Sequence, residues 1–262
     1  MTSFTLIPST ATLTIFILVF TRITATLSTL PVFGAAIVPV RYKVGMGILV
    51  SLLVMTSIRP DYTVVSLGGG YTVLALLSEV LLGMMLGVFV RFVLEAVSLG
   101  MSIVGFQMGF AVVNVVDPQS GGQVSLVGSF HSMLAGIIFI VSGLYRVFLL
   151  GLLDSFAIVA PGMAVMQASL GRFFYEAGGQ LFRTAICVAA PIMVTLLITK
   201  IAMGIVARTV PQMNIFIVGF SLTIGLGLIL MGLALPYVMQ ATVAAFERSA
   251  VTYHEFIRAV AQ

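Results

Sequence analysis

The stretch that decides the fold reads GFQMGFAVVNVVDPQSGGQV and runs from Gly105 to Val124. Long apolar runs flank it, which predicts that it lies within or close to a membrane. Backbone that leaves the helical conformation at that depth is tolerated only where protein or a wet cavity surrounds it. The stretch therefore predicts a segment that lines a path or an interface, and an ordinary exposed loop between two spanning helices is the alternative. Its polar and helix-breaking residues are Gln107, Asn114, Asp117, Pro118, Gln119, Gly121 and Gly122.

The composition places the chain in the membrane class. Of its 262 residues 60% are hydrophobic and 8% are charged, whereas soluble domains carry about 25% charged residues. The net charge is +4, but the twelve basic residues are scattered, which argues against nucleic-acid binding. Cys187 is the only cysteine, so no internal disulfide and no multi-cysteine zinc site can form. The first charge is Arg22, so we expect no cleavable signal peptide.

The apolar pattern predicts an all-α fold of membrane-type helices. The first apolar run, residues 4–40, exceeds one span of about 20 residues, and Pro31 and Pro39 predict a break after about Leu30. Residues 71–115 predict one long helix or a tight helical hairpin. Pro236 is expected to end or kink the last helix, and the tail 247–262 is expected to be polar and solvated. The remaining expected segments are 44–58, 124–145, 147–170, an amphipathic or loop connection at 171–183, 184–207 and 213–246.

Small residues occur at a spacing that favours close helix packing. Glycines four residues apart let two helix backbones approach, and two such pairs are Gly83–Gly87 and Gly105–Gly109. A further small-residue face is predicted on the last helix at Gly225, Gly227 and Gly232.

Charged residues inside the apolar segments are expected to face protein or water, because a charge is costly in hydrocarbon. Arg22 lies deep in the first run, although it could instead snorkel to an interface. Arg91 and Glu95 are four residues apart and can pair on one helix face. Glu79 is three turns from Arg91, so it needs a partner elsewhere, and Arg22 and Lys200 are the candidates within the chain.

A second polar interruption, ARTVPQMNIFIVGF, separates the last two apolar blocks. It contains Arg208, Pro211, Gln212 and Asn214, and it predicts another irregular segment. The basic residues along the chain do not alternate between the two sides of a membrane, so the positive-inside rule gives no orientation.

No pattern typical of an enzyme is present. The sequence lacks HExxH, GxSxG and Walker motifs. The two histidines are far apart, and His131 is expected to be a structural, hydrogen-bonded residue rather than a proton relay. We therefore expect no catalytic activity, no cofactor and no metal.

Three segments together carry a family resemblance: PVFGAAIVPVR at 31–41, GFQMGFAVVNVVDPQSGGQ at 105–123 and ARTVPQMNIFIVGFSL at 207–222. In this order they resemble the bacterial type III export-apparatus family called FliR in flagella, with its injectisome relatives. The resemblance covers about residues 10–245, so it implies that residues 1–262 form a single subunit. It favours the flagellar branch of the family over the injectisome branch.

The resemblance implies a non-enzymatic subunit of the flagellar export gate, in the bacterial inner membrane and the flagellar basal body. It implies partners named FliP, FliQ, FlhB and FlhA, unfolded protein substrates, and helical hairpins that lie largely above the membrane plane. Assembly roles are expected for the charged residues named above, including Arg208. The alternative is a secondary transporter, whose broken helices also form binding sites. An internal repeat would favour that alternative, and none is visible beyond hydropathy.

The same resemblance assigns a pore plug to residues 105–123. Hydrophobic constrictions can exclude ions by dewetting, and Phe106, Met108 and Phe110 are bulky apolar side chains among glycines. Methionine is unbranched and deformable, which suits an adaptable seal. The alternative is that these three residues simply pack between helices. The predicted plug residues are Gly105, Phe106, Gln107, Met108, Gly109, Phe110, Asn114, Asp117, Pro118 and Gln119.

Overall fold

The structure is a computed structural model that describes residues 10–31, 38–57, 69–110, 125–163, 169–210, 212 and 214–260. Within these residues the regular secondary structure is entirely helical, as predicted. Seven helices are described: α1 (Thr10–Thr29), α2 (Val40–Ser57), α3 (Gly69–Met108), α4 (Leu126–Val141), α5 (Leu144–Ile158), α6 (Ser169–Thr209) and α7 (Ile215–Val260).

Glycines with a positive φ lie at or near helix boundaries. Gly143, with a φ of 72°, lies in the short break between α4 and α5. A positive φ is easy only for glycine, which has no Cβ. Pro161 and Gly162 follow α5 in a turn, and Gly162 has a φ of 83°. Of the two possibilities for residues 71–115, the described part forms one continuous helix.

At two places the structure decides between alternatives that the sequence left open. The stretch 171–183 is not a loop but the first part of α6, and Pro236 lies inside α7, so it does not end that helix. Proline removes one helical hydrogen bond at a cost of about 3 kcal/mol or more. The long apolar helix on either side outweighs that cost, as it does at Pro191 in α6.

The expectation of a solvated tail is wrong for the described residues, because α7 continues to Val260. Tyr253, Phe256 and Ile257 are buried. Together with Val260 they recur at i, i+3, i+4 and i+7, the pattern of a helix with one buried face. The charged residues of this segment occupy the remaining positions, which is why the segment as a whole reads as polar in the sequence.

Among the described residues, four helices are long and apolar enough to cross a membrane, or five spans if the bent α4–α5 pair counts as one. The four are Thr10–Thr29, Tyr71–Met108, Gly171–Thr209 and Phe216–Val260. Many large apolar side chains on these helices are exposed, as expected of a chain whose surroundings are lipid or other apolar proteins.

The chain divides into two compact units. Unit 1 comprises Met1–Arg91, Leu144–Ala177 and Arg248–Gln262. Its aromatic centre surrounds Phe89, whose ring centroid lies 5.0 Å from that of Phe256 and 5.6 Å from that of Phe174. The predicted Gly83–Gly87 packing is confirmed, because a Cβ at either glycine would overlap α1.

Unit 2 comprises Phe92–Gly143 and Gly178–Glu247. Its core joins α3, α4, α6 and α7 through nine buried residues: Met101, Val104, Met108, Val127, Val188, Ala189, Ile192, Leu196 and Val238. Gly100 lies directly against the backbone of Ala185, so α3 and α6 approach closely at this point. This core fixes the C-terminal end of α3, where the predicted plug begins.

Candidate functional site

The first six residues of the predicted plug form the C-terminal cap of α3. Gly109 has a φ of 100°, its N–H donates to the carbonyl of Phe106 at 3.1 Å, and the N–H of Phe110 donates to the carbonyl of Gly105 at 3.1 Å. This pair of bonds around a left-handed glycine is the Schellman motif that ends many helices. Gly109 is therefore required by the backbone conformation, a role that its spacing from Gly105 did not suggest.

The three bulky side chains of the cap lie in different environments. Met108 is 0% exposed and belongs to the core of unit 2, whereas Phe106 is 72% exposed. Phe110 is partly buried against the same core. Met108 thus packs between helices, which was the alternative for all three residues, and Phe106 is the one with a free apolar surface.

α7 supplies the surface on which this cap rests. A Cβ at Gly227 would lie 2.6 Å from Met108 Cγ, so the glycine makes space for the methionine. Thr223, a buried residue that the sequence patterns did not single out, donates its hydroxyl to the carbonyl of Met108 at 3.1 Å. The predicted glycine face is otherwise not used here: no described atom lies within 4 Å of a Cβ at Gly225 or Gly232.

The polar part of the predicted plug is described only at its start. The side-chain oxygen of Gln107 is buried and has no hydrogen-bond partner among the described residues. Asn114, Asp117, Pro118 and Gln119 lie outside the described residues, together with Gly121 and Gly122. Their proposed role stays a prediction.

The second polar interruption marks the start of α7. The side-chain oxygen of Asn214 accepts the N–H of Ile217 at 3.3 Å, which is the geometry of a helix N-cap. Gln212 is exposed, and Pro211 lies outside the described residues. Arg208 is exposed in the last turn of α6, where a cation suits the helix dipole.

A buried ion pair organises unit 1. Arg22 and Glu79 have side chains that are 0% exposed. Arg22 Nε donates to Glu79 Oε2 at 2.5 Å and Nη2 donates to Oε1 at 2.9 Å, a bidentate arrangement. The partner that Glu79 needs on another segment is therefore Arg22, and the snorkelling alternative for Arg22 is wrong.

Other groups complete the surroundings of this pair. Arg22 Nη1 donates to the carbonyls of Ser155 at 3.1 Å and Val159 at 3.0 Å. The N–H of Gly162 donates to Glu79 Oε1 at 2.7 Å. The arginine carbon lies 4.4 Å from the ring centroid of Phe156, within cation–π range. The pair thus ties α1 and α3 to the C-terminal end of α5 and the turn after it.

The remaining predicted charges lie at the surface. Lys200 is exposed on α6, and Arg91 and Glu95 are exposed one turn apart on α3. His131 is buried, and its Nδ1 lies 2.9 Å from the carbonyl of Val127, a structural hydrogen bond of the kind predicted. Within the described ranges, no group of three His, Cys, Asp or Glu residues could hold a metal ion.

The long apolar helices, their glycine contacts and the capped end of α3 define a helical protein of the membrane type. Comparison with known proteins assigns the family: residues 13–249 match the model described as bacterial export proteins, family 1, and the chain belongs to that family.

The resemblance to FliR is confirmed by similarity to individual proteins. The chain is 32% identical to flagellar biosynthetic protein FliR of Bacillus subtilis (strain 168) over 219 residues, which cover 82% of this chain and 84% of the relative. It is 32% identical to the FliR of Pectobacterium carotovorum subsp. carotovorum over 84% of this chain and 83% of the relative. It is 28% identical to the FliR of Escherichia coli (strain K12) over 83% of this chain and 82% of the relative.

Proposed function

We propose that this chain is a non-enzymatic subunit of the flagellar type III protein export gate in the bacterial inner membrane, at the flagellar basal body. Its partners are the gate proteins FliP and FliQ, the export switch protein FlhB and the export protein FlhA, and its substrates are unfolded flagellar proteins. The family match and the flagellar relatives support the class of function. The structural support for a gate role comes from the end of α3.

The observation that carries the gate proposal is the contrast between Met108 and Phe106 in one helical cap. Met108 anchors the cap in the core, and Phe106 presents a 72% exposed aromatic side chain from the same turn. An apolar group on a rigid support can close a narrow path by dewetting, without any charged barrier. We therefore assign the seal to Phe106, with Phe110 beside it, and the anchor to Met108.

The test separates sealing from packing. Phe106→Ala removes an exposed side chain, so the complex is expected to assemble normally while small ions or dyes cross membranes that contain it. Met108→Ala removes a core side chain, which costs about 2–5 kcal/mol in comparable cores, so it is expected to lower the yield of assembled complex.

The matched control is Phe182→Ala on α6, which also removes an exposed phenylalanine. It is expected to leave both assembly and ion tightness unchanged. A Phe106→Ala complex that assembles and stays as tight as the control would contradict the sealing role. A purified chain that forms a small symmetric oligomer without gate partners would favour the transporter alternative.

A further inference from the structure

Hydrogen-bond donors for the carbonyl groups at the C-terminal end of α3 come both from the cap and from α7. The last carbonyls of a helix have no donor within the helix, and the cap satisfies those of Gly105 and Phe106 through Phe110 and Gly109. The carbonyl of Met108 lies outside these two bonds, in a buried position. Its donor is the hydroxyl of Thr223, at 3.1 Å and 115 residues away in sequence.

Three residues on one face of α7 fit this cap. Phe220, Thr223 and Gly227 are spaced i, i+3 and i+7, so they share a helix face. The Phe220 ring lies where a Cβ at Gly109 would be, 2.7 Å from its Cδ1. Gly227 leaves space for the Met108 side chain, and Thr223 lies between them with the hydrogen bond.

The Thr223 hydroxyl has two further acceptors within its own helix. It carries a single proton, and its oxygen lies 2.9 Å from the carbonyl of Gly219 and 3.2 Å from that of Phe220, as well as 3.1 Å from that of Met108. Threonine commonly donates to the carbonyl four residues earlier in a helix. If the end of α3 moved away, the hydroxyl would turn to Gly219 and would not be left without a partner.

We propose that Thr223 is the positioning residue that holds the end of α3, and with it the sealing Phe106, in the closed state of the gate. The inference rests on the proposed function, because it assigns a closed state to that same segment. The hydroxyl of Thr223 can exchange one acceptor for another. When the end of α3 is docked, the hydroxyl donates to α3, and when that end moves away, the hydroxyl donates within α7. Gate opening then requires no unpaired buried donor on α7.

The first test removes only the hydroxyl. Thr223→Val keeps the shape of threonine and lacks the donor, and Thr223→Ser keeps the donor. One neutral hydrogen bond shifts a two-state equilibrium roughly fivefold. The Thr223→Val complex is therefore expected to assemble and to leak ions roughly fivefold more than the parent when idle, and Thr223→Ser is expected to stay tight.

The matched control is Thr242→Val. Thr242 is also buried on α7 and donates to the carbonyl four residues earlier, Val238, at 2.7 Å. This variant should stay tight. A tight Thr223→Val complex, or equal leaks from Thr223→Val and Thr242→Val, would overturn the inference. The Phe106→Ala measurement is independent, so a leak from that variant keeps the proposed seal even if Thr223 fails.

A second variant decides the matter if Thr223→Val does not assemble. Met108→Cys with Gly227→Cys, in a chain carrying Cys187→Ser, joins the end of α3 to α7 when oxidised. Unlike Met108→Ala, this pair refills part of the lost core volume, because a Cβ at Gly227 lies in the space of the Met108 side chain. Because a Cβ at Gly227 lies 2.6 Å from Met108 Cγ, the two sulfurs can meet with little movement. Oxidation should block secretion and reduction should restore it. Undiminished secretion with the disulfide formed would refute the proposal that this contact must open.

Discussion

Replacing Glu79 by glutamine is expected to destabilise unit 1, because it leaves a buried cation without its counter-charge. Glu79 accepts three hydrogen bonds, two from Arg22 and one from the N–H of Gly162. Breaking a fully buried ion pair by changing one partner costs about 3–5 kcal/mol. Glutamine retains one acceptor oxygen, so we expect the lower end, about 3 kcal/mol, which is roughly a hundredfold in the folding equilibrium.

The measurement is the thermal midpoint of the detergent-solubilised protein, followed by circular dichroism because the chain has no tryptophan. For a chain of this size, 3 kcal/mol corresponds to a lowering of about 6–12 °C. The control is Glu176→Gln, which breaks an i,i+4 ion pair with Arg172 on the surface of α6. Exposed pairs of that kind contribute about 0.3–0.5 kcal/mol, so its midpoint should hardly change.

A double variant tests whether charge, and not shape, causes the effect. Arg22→Met with Glu79→Leu replaces both charges by apolar groups, and such replacements are often close to neutral. Recovery should be partial, because the carbonyl of Val159 loses the donor that Arg22 supplies. The carbonyl of Ser155 keeps a second donor, the N–H of Val159 at 2.8 Å. If Glu79→Gln melts within 2 °C of Glu176→Gln, a threshold of about 0.5–1 kcal/mol, the ion pair contributes little and the reasoning is refuted.

Three further changes have defined outcomes. Gly109→Val should block assembly or secretion, since a left-handed non-glycine residue costs about 1–2 kcal/mol and its Cβ would overlap Phe220; normal secretion would contradict this. Phe256→Ala should lower the thermal midpoint by the equivalent of about 3–5 kcal/mol. Val251 is 62% exposed on the same segment of α7, so Val251→Ala should be tolerated. Equal effects of the two substitutions on the thermal midpoint would contradict the burial of Phe256. Asn214→Ala should cost about 0.5–1 kcal/mol through loss of the N-cap, measured as a lower midpoint than that of the Asn214→Ser control.

The sequence predicted the helices well because their signal is local. Three features depend on residue type and spacing alone. They are the apolar runs of more than 20 residues, the break near Pro31, and the close packing at Gly83 and Gly87. The partner of Glu79 was narrowed to Arg22 or Lys200 by the cost of an unpaired buried charge. Only the tertiary structure decides between two such candidates.

The errors have a common physical cause, which is that neighbouring helices override a local signal. Pro236 reads as an end or a kink of the last helix, and α7 does not end there. The segment after Phe246 reads as polar, yet Tyr253 and Phe256 are buried among other aromatic rings of unit 1. Gly109 does pack closely, against Phe220, but the sequence did not reveal its further role in the left-handed cap. In each case the deciding interaction involves residues far away in sequence or a backbone angle.

The two candidate sites solve the same problem in the same way. Buried helix ends leave carbonyls that water cannot reach, and a chain in apolar surroundings must satisfy them with its own groups. Arg22 does so just after the end of α5, through the carbonyl of Val159, and it adds a second donor to the carbonyl of Ser155. Thr223 does so at the end of α3, through the carbonyl of Met108.

The difference between these two donors sets which helix end can move. Arg22 is charged, fully buried and bound to Glu79 by two hydrogen bonds, so releasing it would expose a bare charge to an apolar interior. Thr223 is neutral and has a second acceptor 2.9 Å away in its own helix. The ion pair therefore favours a fixed end of α5, whereas the exchangeable bond at Thr223 fits the movement that the proposed gate role requires of the end of α3.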